Sequence, residues 1–212
     1  QGIALDALGR LDEAETKLKE AHRLTPRNIH VLFHFGKFLA YRRGKCAEAI
    51  PFFQASLEGA GGRYPAADYR TGECYAKLKK YPEALARIRH ALDLEPGSAF
   101  GWFTLGTTQL EAGDLAGGEQ SLKRHIEIAP ASVQGWYNLG VLRMRRMDFG
   151  PAREALQRTV DLDSKSEQAW FNLTFVAEKL GDAALAKQAG KQLLILNPGN
   201  AEYRRRAGEL EK

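Results

Sequence analysis

The sequence of 212 residues has no long apolar run, only two cysteines and no block of charge of one sign. A membrane-spanning helix needs about 20 consecutive apolar residues, so such a helix is excluded. Two cysteines are too few for a small scaffold held together by disulfides, and 44% hydrophobic residues are too many for a disordered chain. The sequence therefore predicts a folded chain with a packed core.

The net charge of +5 comes from 31 Lys and Arg against 26 Asp and Glu, and it is spread along the chain. This charge is compatible with an acidic partner, but it lacks the concentrated basic patch of a nucleic-acid-binding domain. Two short basic clusters are interpreted as solvated helix ends, because exposed aromatics do not alternate with them. These clusters are Arg143, Arg145 and Arg146, and Arg204 to Arg206. We expect no nucleic-acid partner.

Tryptophans recur at intervals of 34 residues, where they open the segments WFTLG, WYNLG and WFNLT. The same phase carries a glycine in most repeats and, further along, a small residue where two helices must approach closely. The tryptophans are Trp102, Trp136 and Trp170; the glycine positions are Gly2, Gly36, Gly72, Gly106 and Gly140, followed by Thr174; the small residues are Ala14, Ala49, Ala84, Gly118, Ala152 and Ala186.

Each repeat contains two amphipathic stretches of about 14 residues, separated by a short turn such as Gly113-Asp114. A period of 34 residues with two helices is the signature of the tetratricopeptide repeat, which this chain resembles. The resemblance implies an all-α, right-handed superhelix of about six helix-turn-helix repeats. We assign the repeats to residues 1–28, 29–64, 65–98, 99–132, 133–166 and 167–200, and a C-terminal capping helix to 201–212.

The start of the chain falls inside a repeat, because the phase of Gly2 places the beginning of the first helix before Gln1. We therefore expect the first repeat to be truncated and the chain to be a fragment of a longer protein. No charged stretch followed by a short apolar run precedes the first helix, so a targeting segment is not expected within these residues.

The repeat register slips once, because Gly36 and Gly72 are 36 residues apart instead of 34. We expect the two additional residues around Arg43 to Lys45 and in the Gly-rich stretch 58–65. The second of these lengthens the connection between two repeats, since Tyr64-Pro65 replaces the usual tight turn.

Aromatic side chains occupy the same position of the first helix in five consecutive repeats. In a tetratricopeptide superhelix these helices line the concave surface, and stacking places equivalent positions in a row. We predict that this row and its polar neighbours bind an extended or helical peptide. The alternative is that the rings pack between adjacent helices. The aromatics are Phe33, Tyr69, Phe103, Tyr137 and Phe171, and the polar neighbours are His34, Lys37, Arg70, Glu73, Asn138 and Asn172.

Motifs for catalysis or metal binding are missing. There is no phosphate-binding loop, nucleophile elbow or zinc-protease motif. His30 and His34 have a spacing that can chelate a metal ion, but a third ligand is lacking. We expect a protein that is not an enzyme and has no metal or cofactor.

Cys46 opens the second helix of one repeat, and Cys74 lies late in the first helix of the next. These helices are expected to be antiparallel neighbours, which brings the two residues within reach of a disulfide. The alternative is a pair of partly buried, reduced thiols in a cytosolic protein.

One segment resembles a narrower family. The stretch VLFHFGKFLAYRRGKCAEAI, the following Tyr64-Pro65, and GECYAKLKKYPEAL are similar to the middle repeats of the type IV pilus pilotins, which are tetratricopeptide lipoproteins. The resemblance implies binding of the outer-membrane secretin, promotion of its multimerisation, and a location at the periplasmic face of the outer membrane. It also favours the disulfide between Cys46 and Cys74, because a cysteine pair joins these repeats in some relatives. From Trp102 onward the repeats are closer to the general consensus, and the lipid-bearing cysteine of the family has no counterpart in this chain.

Two other functions remain open. A cytosolic co-chaperone or scaffold that reads peptide carboxylates needs cations on the first concave helices, where this chain has Phe33 and Tyr69. A repeat region of a larger enzyme is the other alternative, although the capping helix indicates that the array ends after residue 200. The favoured partner is a protein or peptide, and a membrane is expected only through a lipid anchor outside this chain.

Overall fold

The computed structural model describes residues 1–209, with side chains up to residue 205. Within this range it contains thirteen α-helices and no strand, so the predicted all-α fold is confirmed. The last helix, Ala201–Glu209, lies in the predicted capping segment, whose residues 210–212 are outside the described part.

The chain divides into two compact units, the first from Gln1 to Gly113 and the second starting at Asp114. In the first unit, each helix packs against the next one along the chain. Its helices are α1 (Gly2–Ala7), α2 (Leu11–Leu24), α3 (Ile29–Lys37), α4 (Cys46–Gly59), α5 (Pro65–Lys77), α6 (Tyr81–Leu94) and α7 (Ala99–Ala112).

The second unit repeats this arrangement with six helices, again packed in the order of the sequence. They are α8 (Leu115–Ile128), α9 (Val133–Arg145), α10 (Phe149–Leu162), α11 (Glu167–Leu180), α12 (Ala183–Leu196) and α13 (Ala201–Glu209). The boundary between the units falls between the two helices of the repeat assigned to 99–132.

Four of the repeat glycines, Gly2, Gly36, Gly72 and Gly140, lie directly against a large side chain of the second helix of their pair. A Cβ atom added at Gly36 would lie 2.8 Å from the ring of Phe53, and one at Gly140 would lie 2.8 Å from Leu156. In the last pair Thr174 stands at the glycine position, while Gly190 stands where Leu156 does. Both are buried. In the last pair the larger residue is therefore on the first helix and the glycine on the second, the reverse of those four pairs. This reversal keeps the interior close-packed.

The tryptophan period has a local cause. The indole Nε1 of Trp102 donates to the carbonyl of Pro96 at 2.8 Å, and Trp136 and Trp170 donate to the carbonyls six residues before them at 2.9 Å. Each ring thereby fixes the turn that leads into its helix. Ser98 and Ser132 cap the same turns by accepting a hydrogen bond from a backbone N–H.

The register slip is shared between a helix and a connection. The residues after α3 form a π-helical turn, Phe38–Arg42, in which the N–H of Arg43 donates to the carbonyl of Phe38 at 3.3 Å. Gly36 and Cys46 are therefore ten residues apart, whereas the equivalent Gly72 and Tyr81 are nine apart. The first additional residue lies in this turn and not in the expected stretch Arg43 to Lys45, because a helix can absorb one residue as a π-bulge.

The second additional residue lies where it was expected, between α4 and α5. Gly61 and Gly62 adopt positive φ values of 62° and 77° there, a conformation that glycine allows without steric cost. Tyr64 follows them and directly precedes α5.

Candidate functional site

The predicted binding residues lie on odd-numbered helices of both units. The first unit holds those of α3, α5 and α7, and the second holds those of α9 and α11. In the first unit these are Phe33, His34, Lys37, Tyr69, Arg70, Glu73 and Phe103, and in the second they are Tyr137, Asn138, Phe171 and Asn172.

The expectation that all five aromatic rings are displayed is wrong for the first two. Phe33 is 9% exposed because the rings of Phe53 and Tyr64 cover it, with centroids 5.9 and 5.1 Å away. Tyr69 is 3% exposed and meets the ring of Phe100 edge-on at 5.4 Å. These two rings form part of the interior and present little area to a partner.

The remaining three rings, Phe103, Tyr137 and Phe171, are half-buried. Phe103 lies in the middle of α7, where its carbonyl accepts a hydrogen bond from Thr107. The amide of Asn138 donates to the carbonyl of Gln134 in its own helix at 2.9 Å.

The first unit contains a cleft of about 330 Å³, which we call the π-turn cleft. Three of its lining residues were predicted from the sequence, and the other six were not. The predicted ones are His34, Lys37 and Arg70, and the others are Ile3, Asp6, Leu18, Phe38, Tyr41 and Arg42.

Tyr41 is the functional candidate that sequence reasoning missed. It lies in the π-helical turn, where this repeat departs from the regular α-helix of the other described repeats. The signal in the sequence was the additional residue between Gly36 and Cys46. π-bulges of this kind are frequent at functional sites.

A polar network surrounds the ring of Tyr41. Its hydroxyl donates to a carboxylate oxygen of Glu73, and Arg70 Nη1 lies 3.2 Å from that hydroxyl and 2.8 Å from the carboxylate. The Arg70 guanidinium lies 5.3 Å from the ring centroid, and the Lys77 ammonium 4.9 Å. Burial, followed by the charge of Glu73 and its hydrogen bond, raises the pKa of Tyr41 above its ordinary value.

The other charged groups of the π-turn cleft differ in their partners. Arg42 Nε lies 2.6 Å from the carboxylate of Asp6, so this cation is neutralised. The Lys37 ammonium lies 5.8 Å from the ring centroid of Phe33. Burial lowers the pKa of His34, and the nearby charge of Lys37 lowers it further. Both effects favour the neutral form of the imidazole.

The second unit contains a cleft of about 240 Å³, which we call the capping cleft because α13 contributes to it. The amide of Asn172 donates to the hydroxyl of Tyr137 at 3.3 Å. Tyr203 of α13 lies 6.1 Å from the ring of Phe171 and donates to Glu167 at 2.6 Å. The lining residues are Tyr137, Gln168, Phe171, Asn172 and Tyr203.

Cys46 and Cys74 are both buried and are free thiols in this structure, so the disulfide expected from the resemblance is not formed here. The two side chains nevertheless lie next to each other. Burial raises the pKa of the Cys74 thiol, and hydrogen bonding with Cys46 raises it further. The expected neighbourhood of the two residues is therefore present.

In the part of the chain with described side chains, three or more metal-ligating residues do not come together anywhere. His30 is exposed and His34 half-buried.

The basic clusters form internal contacts: Arg143 and Arg146 bind Glu119 at 3.2 and 2.5 Å. In the second cluster Arg204 donates to the carbonyl of Gly199 and Arg205 pairs with Glu202, while the side chain of Arg206 is outside the described part.

No helix in residues 1–209 combines the length and the apolar character that crossing a membrane requires.

The sequence matches a family model described as tetratricopeptide repeat over residues 39–99, 77–133, 103–167 and 137–201, which together cover more than half of the chain. None of the curated proteins matches it.

Several solved structures share the fold at low sequence identity. PilW, described as a widely conserved type IV pilus biogenesis factor, has a TM-score of 0.85 and 17% identity, with 96% of this chain and 94% of PilW covered. PilF of Pseudomonas aeruginosa has a TM-score of 0.79 and 18% identity, with 98% and 94% covered. A chain of the APC/C hetero-tetramer Cut9–Hcn1 has a TM-score of 0.76 and 14% identity; it matches this whole chain, which spans 42% of its length.

Proposed function

The chain belongs to the tetratricopeptide repeat family, and we propose that it is a pilotin-like assembly factor of a type IV pilus machine. In this role it binds the outer-membrane secretin and promotes its multimerisation into a ring. Tetratricopeptide arrays are protein-interaction scaffolds that bind protein or peptide partners, and their fold is typical of non-catalytic proteins.

The observation that carries this proposal is the junction between the second and third helix pairs. The π-helical turn, the lengthened Tyr64-Pro65 connection and the adjacent Cys46 and Cys74 all occur there, in the one segment that resembles the pilotins. A general repeat consensus explains none of these features. The fold shared with PilW and PilF over nearly the whole chain supports the same assignment.

The surfaces available for a partner are the π-turn cleft and the capping cleft. Each combines half-exposed aromatic area with polar side chains, which suits a polypeptide that needs both apolar burial and hydrogen bonds. In this proposal the protein works at the periplasmic face of the outer membrane, held there by a lipid anchor outside the 212 residues.

The test is reconstitution of secretin assembly. The chain, exported behind a lipoprotein signal sequence, is produced with the secretin of the same genome in a host that lacks both. We expect detergent-resistant secretin multimers on a gel only when the chain is present. The double variant Tyr137→Ala with Phe171→Ala, which removes two rings of the capping cleft, should reduce their yield. Equal amounts of multimer with and without the chain would overturn the proposal.

The alternative function is a cytosolic scaffold. In a cytosolic scaffold Cys46 and Cys74 are two buried thiols that the reducing compartment keeps from forming a disulfide. Under this alternative the chain binds a peptide partner but leaves secretin assembly unchanged.

A further inference from the structure

The π-turn cleft carries one cation that its surroundings do not neutralise. We propose that this cleft binds an acidic side chain of the partner polypeptide, with a neighbouring apolar side chain seated beside it. This inference rests on the proposed function only in that the chain binds a polypeptide, and it names the chemistry of the bound segment.

The charges of the cleft separate into paired and unpaired groups. Arg42 is held by Asp6 at 2.6 Å, and Arg70 by Glu73 at 2.8 Å. Lys37 forms no ion pair with any side chain that the structure describes, and its ammonium lies 5.8 Å from the ring centroid of Phe33. The unpaired positive charge of the π-turn cleft is therefore at Lys37.

Tyr41 increases this bias. Its hydroxyl donates to Glu73, and Arg70 binds the same carboxylate, so the negative charge of Glu73 is already engaged. A carboxylate that enters the cleft consequently meets Lys37 without strong competition from Glu73. An ammonium group on a flexible stem suits a single carboxylate, since it acts as a point charge.

Apolar surface lies in the same cleft. Ile3 is 53% exposed and Tyr41 is 40% exposed, whereas Leu18 and Phe38 close the floor from the interior. An aliphatic or aromatic side chain next to the acidic one can cover Ile3 and the ring of Tyr41. Its burial is favourable by about 25 cal/mol per Å² of apolar area.

The cleft favours an acidic side chain over a terminal carboxylate or a nucleic acid. Capture of a chain terminus needs several cations or several backbone N–H groups that converge on the carboxylate. Arg42 and Arg70 are already paired, and the N–H groups in the interior of α3 and α5 are committed to their own helices. A phosphate backbone needs several free cations, whereas Asp6 and Glu73 neutralise two of the three in this cleft.

The experiment selects peptides from a displayed random library in which both ends of each peptide are joined to the carrier protein. The baits are the wild-type chain, Lys37→Glu, Lys37→Met and the control Lys191→Glu, which makes the same charge change at an exposed position of α12. Thermal melting checks that each bait is folded. We expect wild type and Lys191→Glu to enrich Asp or Glu next to an apolar residue. The Lys37→Met bait should lose this preference, and Lys37→Glu should enrich Lys or Arg instead.

A selected peptide, synthesised with both ends blocked, provides the quantitative measurement. Its affinity should fall about tenfold when its acidic residue is changed to the amide or when the bait is Lys37→Glu, and little with Lys191→Glu. Binding peptides without an acidic preference would overturn this inference and leave the scaffold function intact. Acidic enrichment confined to a second library with free carboxyl termini would assign the cleft to terminal carboxylates and also overturn it. Recovery of no binding peptide would contradict both the inference and peptide binding itself, independently of the secretin assay.

Discussion

The ring of Tyr64 packs over the ring of Phe33 with centroids 5.1 Å apart, so the lengthened connection after α4 covers the first aromatic of the predicted row. Phe33 thereby belongs to the interior, together with Phe53. Tyr137 stands at the equivalent position of α9 but is half-buried and lines the capping cleft. The same sequence position therefore has two different physical roles.

This difference predicts that alanine at Phe33 mainly lowers stability, whereas alanine at Tyr137 mainly weakens binding. Phe33→Ala should lower the free energy of unfolding by about 3 kcal/mol, because it leaves a cavity in the core. Tyr137→Ala should cost about 1 kcal/mol and weaken partner binding, since its half-buried ring lines the capping cleft. Chemical denaturation of both variants compares them directly. Equal losses of stability would show that Tyr137 is also a packing residue.

The neighbouring thiols predict a redox-dependent crosslink. Protein exported to an oxidising compartment should contain a disulfide between Cys46 and Cys74, because burial places the two sulfurs side by side. Closing this loop should stabilise the fold by about 3 kcal/mol.

Thiol titration under denaturing, non-reducing conditions, with mass spectrometry, measures this crosslink. The expected result is no reactive thiol and a mass lower by two hydrogens. Protein made in the cytoplasm is the control and should show two thiols. Two reactive thiols in the exported protein would contradict the crosslink and favour the cytosolic scaffold.

The backbone conformation of Met147 predicts that glycine at this position stabilises the fold. Met147 follows α9, is 74% exposed and adopts a φ of 61°. One period later, Gly181 ends α11 with a φ of 70°. A side chain is strained in this left-handed region, so Met147→Gly should raise the free energy of unfolding by about 0.5 kcal/mol after the greater flexibility of glycine in the unfolded chain is counted. The matched change Gly181→Ala should lower it by about 1 kcal/mol. A loss of stability in Met147→Gly would show that the methionine makes contacts that outweigh the strain.

The ionised carboxylate of Glu119 is expected to contribute to the free energy of unfolding, and this contribution should be lost in acid. Burial would raise its pKa, but hydrogen bonds and charge from Lys123 and Arg143 outweigh this and hold the pKa below its ordinary value of 4.5. Because the folded-state pKa is depressed, the contribution is complete above pH 4.5 and disappears as the pH falls through the folded-state value.

Glu119→Gln should therefore be less stable than wild type by about 1 kcal/mol at pH 7, and the difference should vanish near pH 2. Denaturant unfolding at both pH values measures it. Glu127→Gln is a suitable control, since among the described side chains its carboxylate pairs with Arg124 alone, at the exposed surface. A difference between Glu119→Gln and wild type that persists unchanged in acid would assign the effect to packing.

The sequence by itself determined the helices and their pairing. The period of 34 residues, the glycine facing a large residue, and the tryptophan that fixes each turn are local or nearest-neighbour features, so they repeat in the structure as they repeat in the sequence. Thr174 with Gly190 shows that even a departure from the pattern is compensated within one helix pair.

Only the tertiary structure decided which aromatic rings are available and what else lines the clefts. Whether a ring is exposed depends on the side chains that cover it from the next connection or helix, as Tyr64 covers Phe33 and Phe100 covers Tyr69. The period carries no information about these covering residues. The place of Tyr41 in the π-turn cleft could not be predicted for a related reason. The sequence showed that this repeat has an additional residue, but it did not show that a π-helical turn accommodates that residue.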